Sequence, residues 1–95
     1  KQKMKRGTID IQATLDLHGN TTAEAERILF RFIQQHRNQR WLLIIHGKGT
    51  SSPERRSLLK NLTAALLQSH PNVIAYHSAA KKHGGTGAVY VLLKK

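Results

Sequence analysis

An aspartate and a histidine stand two residues apart in the first third of the chain, as Asp16 and His18. Side chains two residues apart leave a β-strand on the same face, so the carboxylate can reach and orient the imidazole. Histidine titrates near neutral pH and suits proton transfer, and an aspartate partner fixes its tautomer and stabilises the imidazolium. The pair is a candidate acid–base site; the alternative is an aspartate that caps the next turn beside a surface histidine.

A second candidate is the glycine loop His46-Gly47-Lys48-Gly49, which follows a short apolar run and precedes a helix start. Glycines let backbone amides approach a phosphate closely, and the positive end of a helix favours an anion. Lys48 adds a positive charge. The loop therefore predicts phosphate binding, with an ordinary strand-to-helix turn as the alternative. It is not a Walker A loop, because Leu42 and Gly49 stand where that motif needs Gly and Ser or Thr, and nucleotide hydrolysis is excluded.

The third candidate is the glycine-rich segment Gly84-Gly85-Thr86-Gly87, which comes directly after Lys81, Lys82 and His83. Its lysines and the backbone at Gly85 are candidates for contacts to nucleic-acid phosphates, and a plain hairpin loop is the alternative. His36, His70 and His77 have no neighbouring pattern and are interpreted as helix-end or surface residues.

Hydrophobic periodicity predicts the elements that carry these motifs. Alternation from Ile9 to Leu17 indicates extended chain that ends in a strand, and the unbroken apolar run 41–45 indicates a buried parallel strand. A capping box of Thr21 and Glu24 begins a helix over about 22–37, and Ser52-Pro53 begins another over about 53–69. Two further strands are predicted at 73–77 and 88–93.

Each predicted helix has an apolar stripe at helical spacing, which should face the sheet. In the first helix the stripe comprises Ala25, Ile28, Leu29, Phe32 and Ile33; in the second it comprises Leu58, Leu59, Leu62, Ala65 and Leu66.

The predicted fold is α/β, a two-layer sandwich in the order β-α-β-α-β-β, with two helices on a mixed, mostly parallel four-stranded sheet. Strands that alternate with helices favour parallel pairing with right-handed crossovers, and the last two strands should pair antiparallel. Sites in such sheets form beyond the carboxyl ends of parallel strands. We therefore expect Asp16 and His18 to meet His46 at one edge of the sheet.

The composition predicts a single domain that binds a polyanion. The chain has 95 residues, of which 16 are Lys or Arg and five are Asp or Glu, giving a net charge of +11. Such an excess attracts nucleic acid, with an acidic membrane surface as a weaker competitor. There are no cysteines, no membrane-length apolar run and no secretory region. We expect a basic N-terminal arm or extension over residues 1–12, a domain over 13–95, and a cytoplasmic monomer.

The three motifs, in this order and at these separations, resemble the small MutS-related (Smr) domain family over roughly residues 13–95. The D-x-H motif of that family falls on Asp16 and His18, and its H-G-x-G motif falls on residues 46–49 with Lys48 at the variable place. The resemblance implies a two-layer α/β sandwich, nucleic-acid binding and endonuclease activity, either nicking of DNA or cleavage of RNA. Some members act on ribosome-associated messenger RNA, so the ribosome is an expected partner.

The resulting hypothesis is an endonuclease with Asp16, His18 and His46 as catalytic residues. On RNA, His18 would act as base or leaving-group acid, and His46 as the complementary acid or a stabiliser of the phosphorane. On DNA, which has no 2′-OH, water must attack, and a divalent metal such as Mg²⁺ or Mn²⁺ becomes more plausible. Asp16, His18 and His46 could form a metal site of two histidines and a carboxylate. Because no H-x-x-x-H pair prepares such a site, it is the minor alternative, and we assign no metal ligand. The alternative is a non-catalytic module that binds nucleic acid or the ribosome.

Overall fold

The computed structural model describes residues 9–47 and 53–94, which form two helices, four strands and two short 3₁₀ turns. The order β-α-β-α-β-β is confirmed, and the boundaries agree closely with the prediction. The elements are β1 (Ala13–Asp16), α1 (Thr22–Gln35), β2 (Trp41–Ile45), α2 (Pro53–Ser69), β3 (Val73–Ser78) and β4 (Ala88–Leu93), with the 3₁₀ turns at Lys81–His83 and Gly85–Gly87.

The strands lie in the order β1-β2-β4-β3, and the sheet is mixed. Within the described residues, β1 and β2 pair in parallel, whereas β4 pairs antiparallel with both β2 and β3. The expectation of a mostly parallel sheet is therefore wrong, and the expected antiparallel pairing of the last two strands is confirmed.

The insertion of β4 between β2 and β3 has a physical reason in its composition. Five of its six residues are buried, whereas β3 alternates between half-buried and exposed positions. A strand that is apolar on both faces gains most from a central place, and an alternating strand tolerates an edge. The alternation of strands and helices predicted that β1, β2 and β3 run in the same direction, as they do. It does not determine which of these strands are neighbours.

The two faces of the sheet carry two apolar clusters. One cluster packs α1 and α2 against side chains such as Leu42, Ile44 and Val91. The other lies on the opposite face, around Leu43 and Tyr90, where the loop after β3 covers the sheet. The helices therefore form one layer and the sheet the other.

The helix stripes follow the prediction for α1 and depart from it for α2. In α1 the capping box is present, with the Glu24 N–H donating to Thr21 Oγ1 at 3.2 Å and the Thr21 N–H donating to Glu24 Oε1 at 2.9 Å. The buried residues of α2 are Leu59, Thr63 and Leu67, whereas Leu58 is 58% exposed. Leu58 and Ala65 were thus wrongly placed on the buried face, because a leucine-rich helix leaves its orientation open to a shift of one residue.

Residues 9–12, at the end of the segment assigned to an N-terminal arm, contact the sheet. Ile9 is buried in the second cluster, and the Gln12 side chain accepts a hydrogen bond from the Trp41 N–H at 3.0 Å. Residues 1–8 of the predicted arm lie outside the described residues. No helix in the described part of the chain is long and apolar enough to cross a membrane.

Candidate active site

Asp16 and His18 form a hydrogen-bonded pair at the carboxyl end of β1. The His18 ring nitrogen Nδ1 lies 2.6 Å from Asp16 Oδ1, which also accepts the backbone N–H of His18 at 3.0 Å. A carboxylate only accepts hydrogen bonds, so Nδ1 carries the proton and Nε2 has the lone pair in the neutral ring. Both side chains are substantially exposed. His18 is therefore oriented as a proton acceptor that a substrate can reach.

The structure confirms that the Asp16–His18 motif and the His46 motif meet at one edge of the sheet. Asp16 is in register with Ile45 in the parallel β1–β2 pair, and the Leu17 N–H donates to the Ile45 carbonyl at 2.7 Å beyond the end of β1. The carboxyl ends of neighbouring parallel strands thus bring the two motifs together, as the topology predicts.

The side chain of His46 nevertheless lies on the helical side of this edge, whereas Asp16 shares the opposite face with Ile45. His46 is only 5% exposed and lines a small cavity of about 150 Å³ together with Lys60 and Thr63 of α2. Its Nδ1 is buried without a hydrogen-bond partner. Burial, with a smaller effect from the Lys60 ammonium, lowers the pKa of His46 below its ordinary value, so the ring is neutral at neutral pH.

The glycine-rich segment 84–87 holds the start of the His46-Gly47 loop in place. The N–H groups of His46 and Gly47 both donate to the Gly87 carbonyl, at 2.9 and 3.1 Å. A Cβ at position 87 would lie 2.0 Å from the Gly47 carbonyl oxygen, so only glycine permits this approach. Because these two amides are already bonded, Gly47 shapes the loop rather than offering its N–H to a ligand. Lys48 and Gly49 lie outside the described residues.

A basic cleft of about 920 Å³ opens beside this edge. Its walls come from three segments: the end of β2, the first half of α2, and the loop between β3 and β4. Among the described residues that line it, five carry or can carry positive charge, namely His46, Arg56, Lys60, Lys82 and His83. A cleft with one sign of charge concentrates an anionic ligand. The arrangement fits the binding of a phosphodiester backbone at the edge of the sheet where β2 ends.

Three of these cleft residues, Arg56, Lys60 and His83, were missed by the sequence analysis. Arg56 and Lys60 are one helical turn apart on α2. Two basic residues at this spacing on the helix that follows the glycine loop are the sequence feature that could have predicted their place at the cleft. His83 was seen only as a neighbour of the glycine segment. Arg55, also missed, donates to the Asn20 carbonyl at 2.9 Å and so ties the loop after His18 to the start of α2.

The residues of segment 81–87 that were predicted to contact phosphate differ in their position relative to the cleft. Lys82 lines the cleft and is exposed, and Lys81 is exposed beside it in the same 3₁₀ turn. Gly85 has a φ of 58°, and its N–H donates to the Ala80 carbonyl at 3.0 Å, so it fixes the turn.

The imidazole of His83 is held by a buried tyrosine. His83 Nδ1 is hydrogen-bonded to the Tyr90 hydroxyl, and the two rings meet edge to face with their centroids 5.4 Å apart. The Tyr90 hydroxyl also accepts the Ala80 N–H at 3.2 Å. The ring therefore has a fixed orientation in the wall of the cleft.

The described residues do not offer a metal site. Among residues 9–47 and 53–94, no three His, Asp or Glu side chains lie close enough together to hold a metal ion. Within those ranges the residues therefore do not form a site made by the protein alone for the Mg²⁺ or Mn²⁺ considered for a DNA substrate.

Comparisons with known proteins agree with this fold. The Smr domain family model matches residues 15–94. A relative from Escherichia coli K12 named probable DNA endonuclease SmrA is 37% identical over 95 residues, covering 98% of this chain and 51% of the relative. A Salmonella arizonae protein named ribosome rescue factor SmrB is 35% identical, covering 98% of this chain and 49% of the relative. The chain spans about half the length of these curated relatives.

The solved structures that are similar to this chain include two of Smr proteins. The crystal structure of YdaL, a stand-alone small MutS-related protein from E. coli, has a TM-score of 0.84 at 36% identity and covers 99% of this chain and 73% of its own. The Smr domain of Thermus thermophilus MutS2 has a TM-score of 0.76 at 27% identity, covering 87% of this chain and 99% of that domain.

Proposed function

Because the chain belongs to the Smr domain family, we propose that it is a nucleic-acid-binding module that cleaves RNA phosphodiester bonds. The observation that carries the proposal is the 2.6 Å hydrogen bond between Asp16 and His18 at the same edge as a cleft lined by arginine, lysine and histidine. An oriented imidazole supplies proton transfer, and the positive cleft supplies affinity for the phosphate backbone.

In the proposed reaction His18 is the base. Its Nε2 takes the proton from a ribose 2′-OH, the 2′-oxygen attacks the adjacent phosphorus, and the bond to the 5′-oxygen breaks. Asp16 stabilises the imidazolium that forms on His18, as an aspartate does for a catalytic histidine. The products of this step are a 2′,3′-cyclic phosphate and a 5′-hydroxyl end.

His46 acts in this proposal through a hydrogen bond and not as an acid. Its lowered pKa leaves it neutral, which disfavours the role of proton donor and favours that of a stabiliser of the phosphorane. Lys48 and Lys82 neutralise charge on the phosphoryl oxygens, and Lys81 contacts the flanking backbone. Gly47 and Gly85 give the two loops the shape that this contact requires, and Gly49 remains a sequence prediction for phosphate binding.

RNA is favoured over DNA by the side chains at the edge. DNA lacks the 2′-OH that His18 would deprotonate, and hydrolysis by water calls for a divalent metal. Because the described His, Asp and Glu side chains do not converge on one point, we assign no step to a metal.

The names of the relatives support nucleic acid and the ribosome as the partners. One relative is named a probable DNA endonuclease and another a ribosome rescue factor. We propose RNA on or near the ribosome as the partner of this chain, and the cytoplasmic location and the monomeric state stay predictions from the sequence. A module that binds RNA or the ribosome without cutting is the competing function, and the net charge of +11 fits it equally well.

Cleavage of end-labelled RNA and duplex DNA, in Mg²⁺ or in EDTA, tests the proposal. Wild type should cut RNA in both buffers, and Asp16→Ala, His18→Ala and His46→Ala should each cut it more slowly, His18→Ala by about 10²–10⁴-fold. The control is His36→Asn, since His36 bonds the Phe32 carbonyl at the far end of α1. Undiminished cutting by all three variants would reject the site, and binding by wild type without any product would establish the binding module.

A further inference from the structure

We propose that His83 is a second catalytic residue, the acid that protonates the leaving 5′-oxygen while His18 acts as the base. The inference rests on the proposed RNA cleavage. It adds a residue that lies outside the Asp16–His18 pair and outside the glycine segments 46–49 and 84–87. It is carried by the position of His83 on the same face of the sheet as Asp16, and by the way in which its ring is anchored.

The sheet register places Asp16, which bonds His18, and Ala88, which follows the loop of His83, on one face of the same edge. Asp16, Ile45 and Ala88 are register partners across β1, β2 and β4, so they form a row on one face. Strand spacing puts the two ends of this row about 10 Å apart. Asp16 carries His18 at one end, and the loop with His83 leads into Ala88 at the other. His46, in contrast, lies on the helical side.

Tyr90 brings His83 to this row. Tyr90 lies two residues along β4 from Ala88, and side chains two apart on a strand share a face. Its hydroxyl accepts the N–H of Ala80, which lies beyond the end of β3, so the tyrosine side chain reaches back to the edge. The ring of His83 rests against Tyr90 and lines the cleft.

His18 and His83 are anchored in the same way. In each ring Nδ1 is bonded to an oxygen, which is a carboxylate for His18 and the Tyr90 hydroxyl for His83. That leaves Nε2 of each as the atom that can exchange a proton with a substrate. Since a hydroxyl oxygen accepts the Nδ1–H of both the imidazolium and the neutral ring, Tyr90 holds His83 before and after it gives up the Nε2 proton.

The two histidines have different partners, which assigns their roles. The charged carboxylate of Asp16 favours a ring that gains a proton, so His18 is the base. The cations that face His83 across the cleft are Arg56 and Lys60 of α2 and Lys82 of its own turn. They neutralise the charge of the phosphate beside His83, and the His83 ring is bonded to the uncharged Tyr90 hydroxyl rather than to a carboxylate, which leaves His83 the role of the acid.

The complete step balances in protons and bonds. The 2′-OH proton passes to His18 Nε2, the bond from the 2′-oxygen to phosphorus forms, and the bond from phosphorus to the 5′-oxygen breaks. The 5′-oxygen takes the proton from His83 Nε2 and leaves as a hydroxyl. The two histidines end with their protonation states exchanged, and solvent restores them.

A bridging sulfur substitution tests the acid role directly. An RNA oligonucleotide is prepared with sulfur replacing the 5′-oxygen at the linkage that wild type cuts, because a thiolate leaves without protonation. On the oxygen substrate His83→Asn should be about 10²–10⁴-fold slower than wild type. On the sulfur substrate His83→Asn should approach the wild-type rate, whereas His18→Ala should stay slow on both.

The variants and controls separate this inference from the proposed function. Asparagine keeps a polar atom near the position of Nδ1 for Tyr90, and His83→Gln provides a second variant with a different shape; thermal unfolding and binding of a 2′-deoxy analogue check both. Equal loss on the two substrates, or no loss on either, would overturn the role of His83 while wild-type cutting upholds the nuclease. Wild type that cuts neither substrate would reject the nuclease, and the role of His83 with it.

Discussion

His18 and His46 come from the two motifs that the sequence placed together, yet their surroundings differ. His18 is exposed and bonded to a carboxylate, whereas His46 is buried with an unpartnered Nδ1 and a lowered pKa. The sequence predicted that both lie at one edge, because each follows a parallel strand. It did not predict their opposite faces, since that follows from the alternation at Ile45 and from the packing of α2 over His46.

The buried histidines make stability depend on pH. Burial lowers the pKa of both His46 and His70 in the folded chain, so near pH 6.5 and below the unfolded chain binds more protons. Their contribution is therefore present above the ordinary histidine pKa and is lost as the pH falls through it. The free energy of unfolding in urea should decrease from pH 7.5 to 5.5, by at most about 1.4 kcal/mol per pH unit for each histidine.

His70→Asn provides the matched comparison for that pH dependence. Asparagine can still accept the Asn72 N–H, which donates to His70 Nδ1 at 3.1 Å, and it does not titrate. The variant should show a shallower loss of stability with falling pH than wild type. Identical slopes in the two proteins would mean that burial of His70 does not contribute.

Periodicity and capping predicted which helices and strands form, whereas packing determined which of these elements are neighbours. The bounds of α2 and β4 followed from Pro53 and from an unbroken apolar run. The place of β4 between β2 and β3 did not, because a hairpin strand can pair on either side of its partner. The same holds for the stripe of α2, where Leu58 and Leu59 are both leucines and only the sheet selects between them.

The contact between two glycine loops is the element-scale feature most open to test. Gly87→Ala would place a Cβ 2.0 Å from the Gly47 carbonyl oxygen and so break the two hydrogen bonds to the Gly87 carbonyl. We expect a loss of about 2–4 kcal/mol in the free energy of unfolding, together with slower RNA cleavage. Thr86→Ala, at an exposed neighbour, is the control and should change stability by less than about 0.5 kcal/mol. A Gly87→Ala protein as stable as that control would contradict the contact.

At the scale of the whole molecule, composition predicted a polyanion partner but not where it binds. Sixteen Lys and Arg residues against five acids give the charge. The cleft, however, is assembled from β2, α2 and the loop before β4, which are distant in sequence and meet only in the folded chain. That convergence is why Arg56, Lys60 and His83 escaped a search for local motifs.

The cleft predicts that the salt dependence of RNA binding changes when a basic residue inside the cleft is replaced, and does not change when one outside it is replaced. Binding of single-stranded RNA should weaken steeply with salt, because each phosphate contact releases counterions. Lys82→Ala should reduce the slope of log K against log salt by about 0.7, the value for one contact on a single strand. Arg31→Ala, on the exposed side of α1, should leave the slope unchanged. Equal slopes for wild type and Lys82→Ala would place the RNA elsewhere.

The chemical identity of the product ends shows whether Asp16 and His18 drive attack by the ribose 2′-OH. RNA with labels at either end is cleaved in EDTA, and the ends are identified by their sensitivity to phosphatase and kinase before and after acid opening. We expect a 2′,3′-cyclic phosphate and a 5′-hydroxyl, with no cutting where the nucleotide before the scissile bond is 2′-deoxy. A 3′-hydroxyl with a 5′-phosphate, formed only when Mg²⁺ is present, would contradict it.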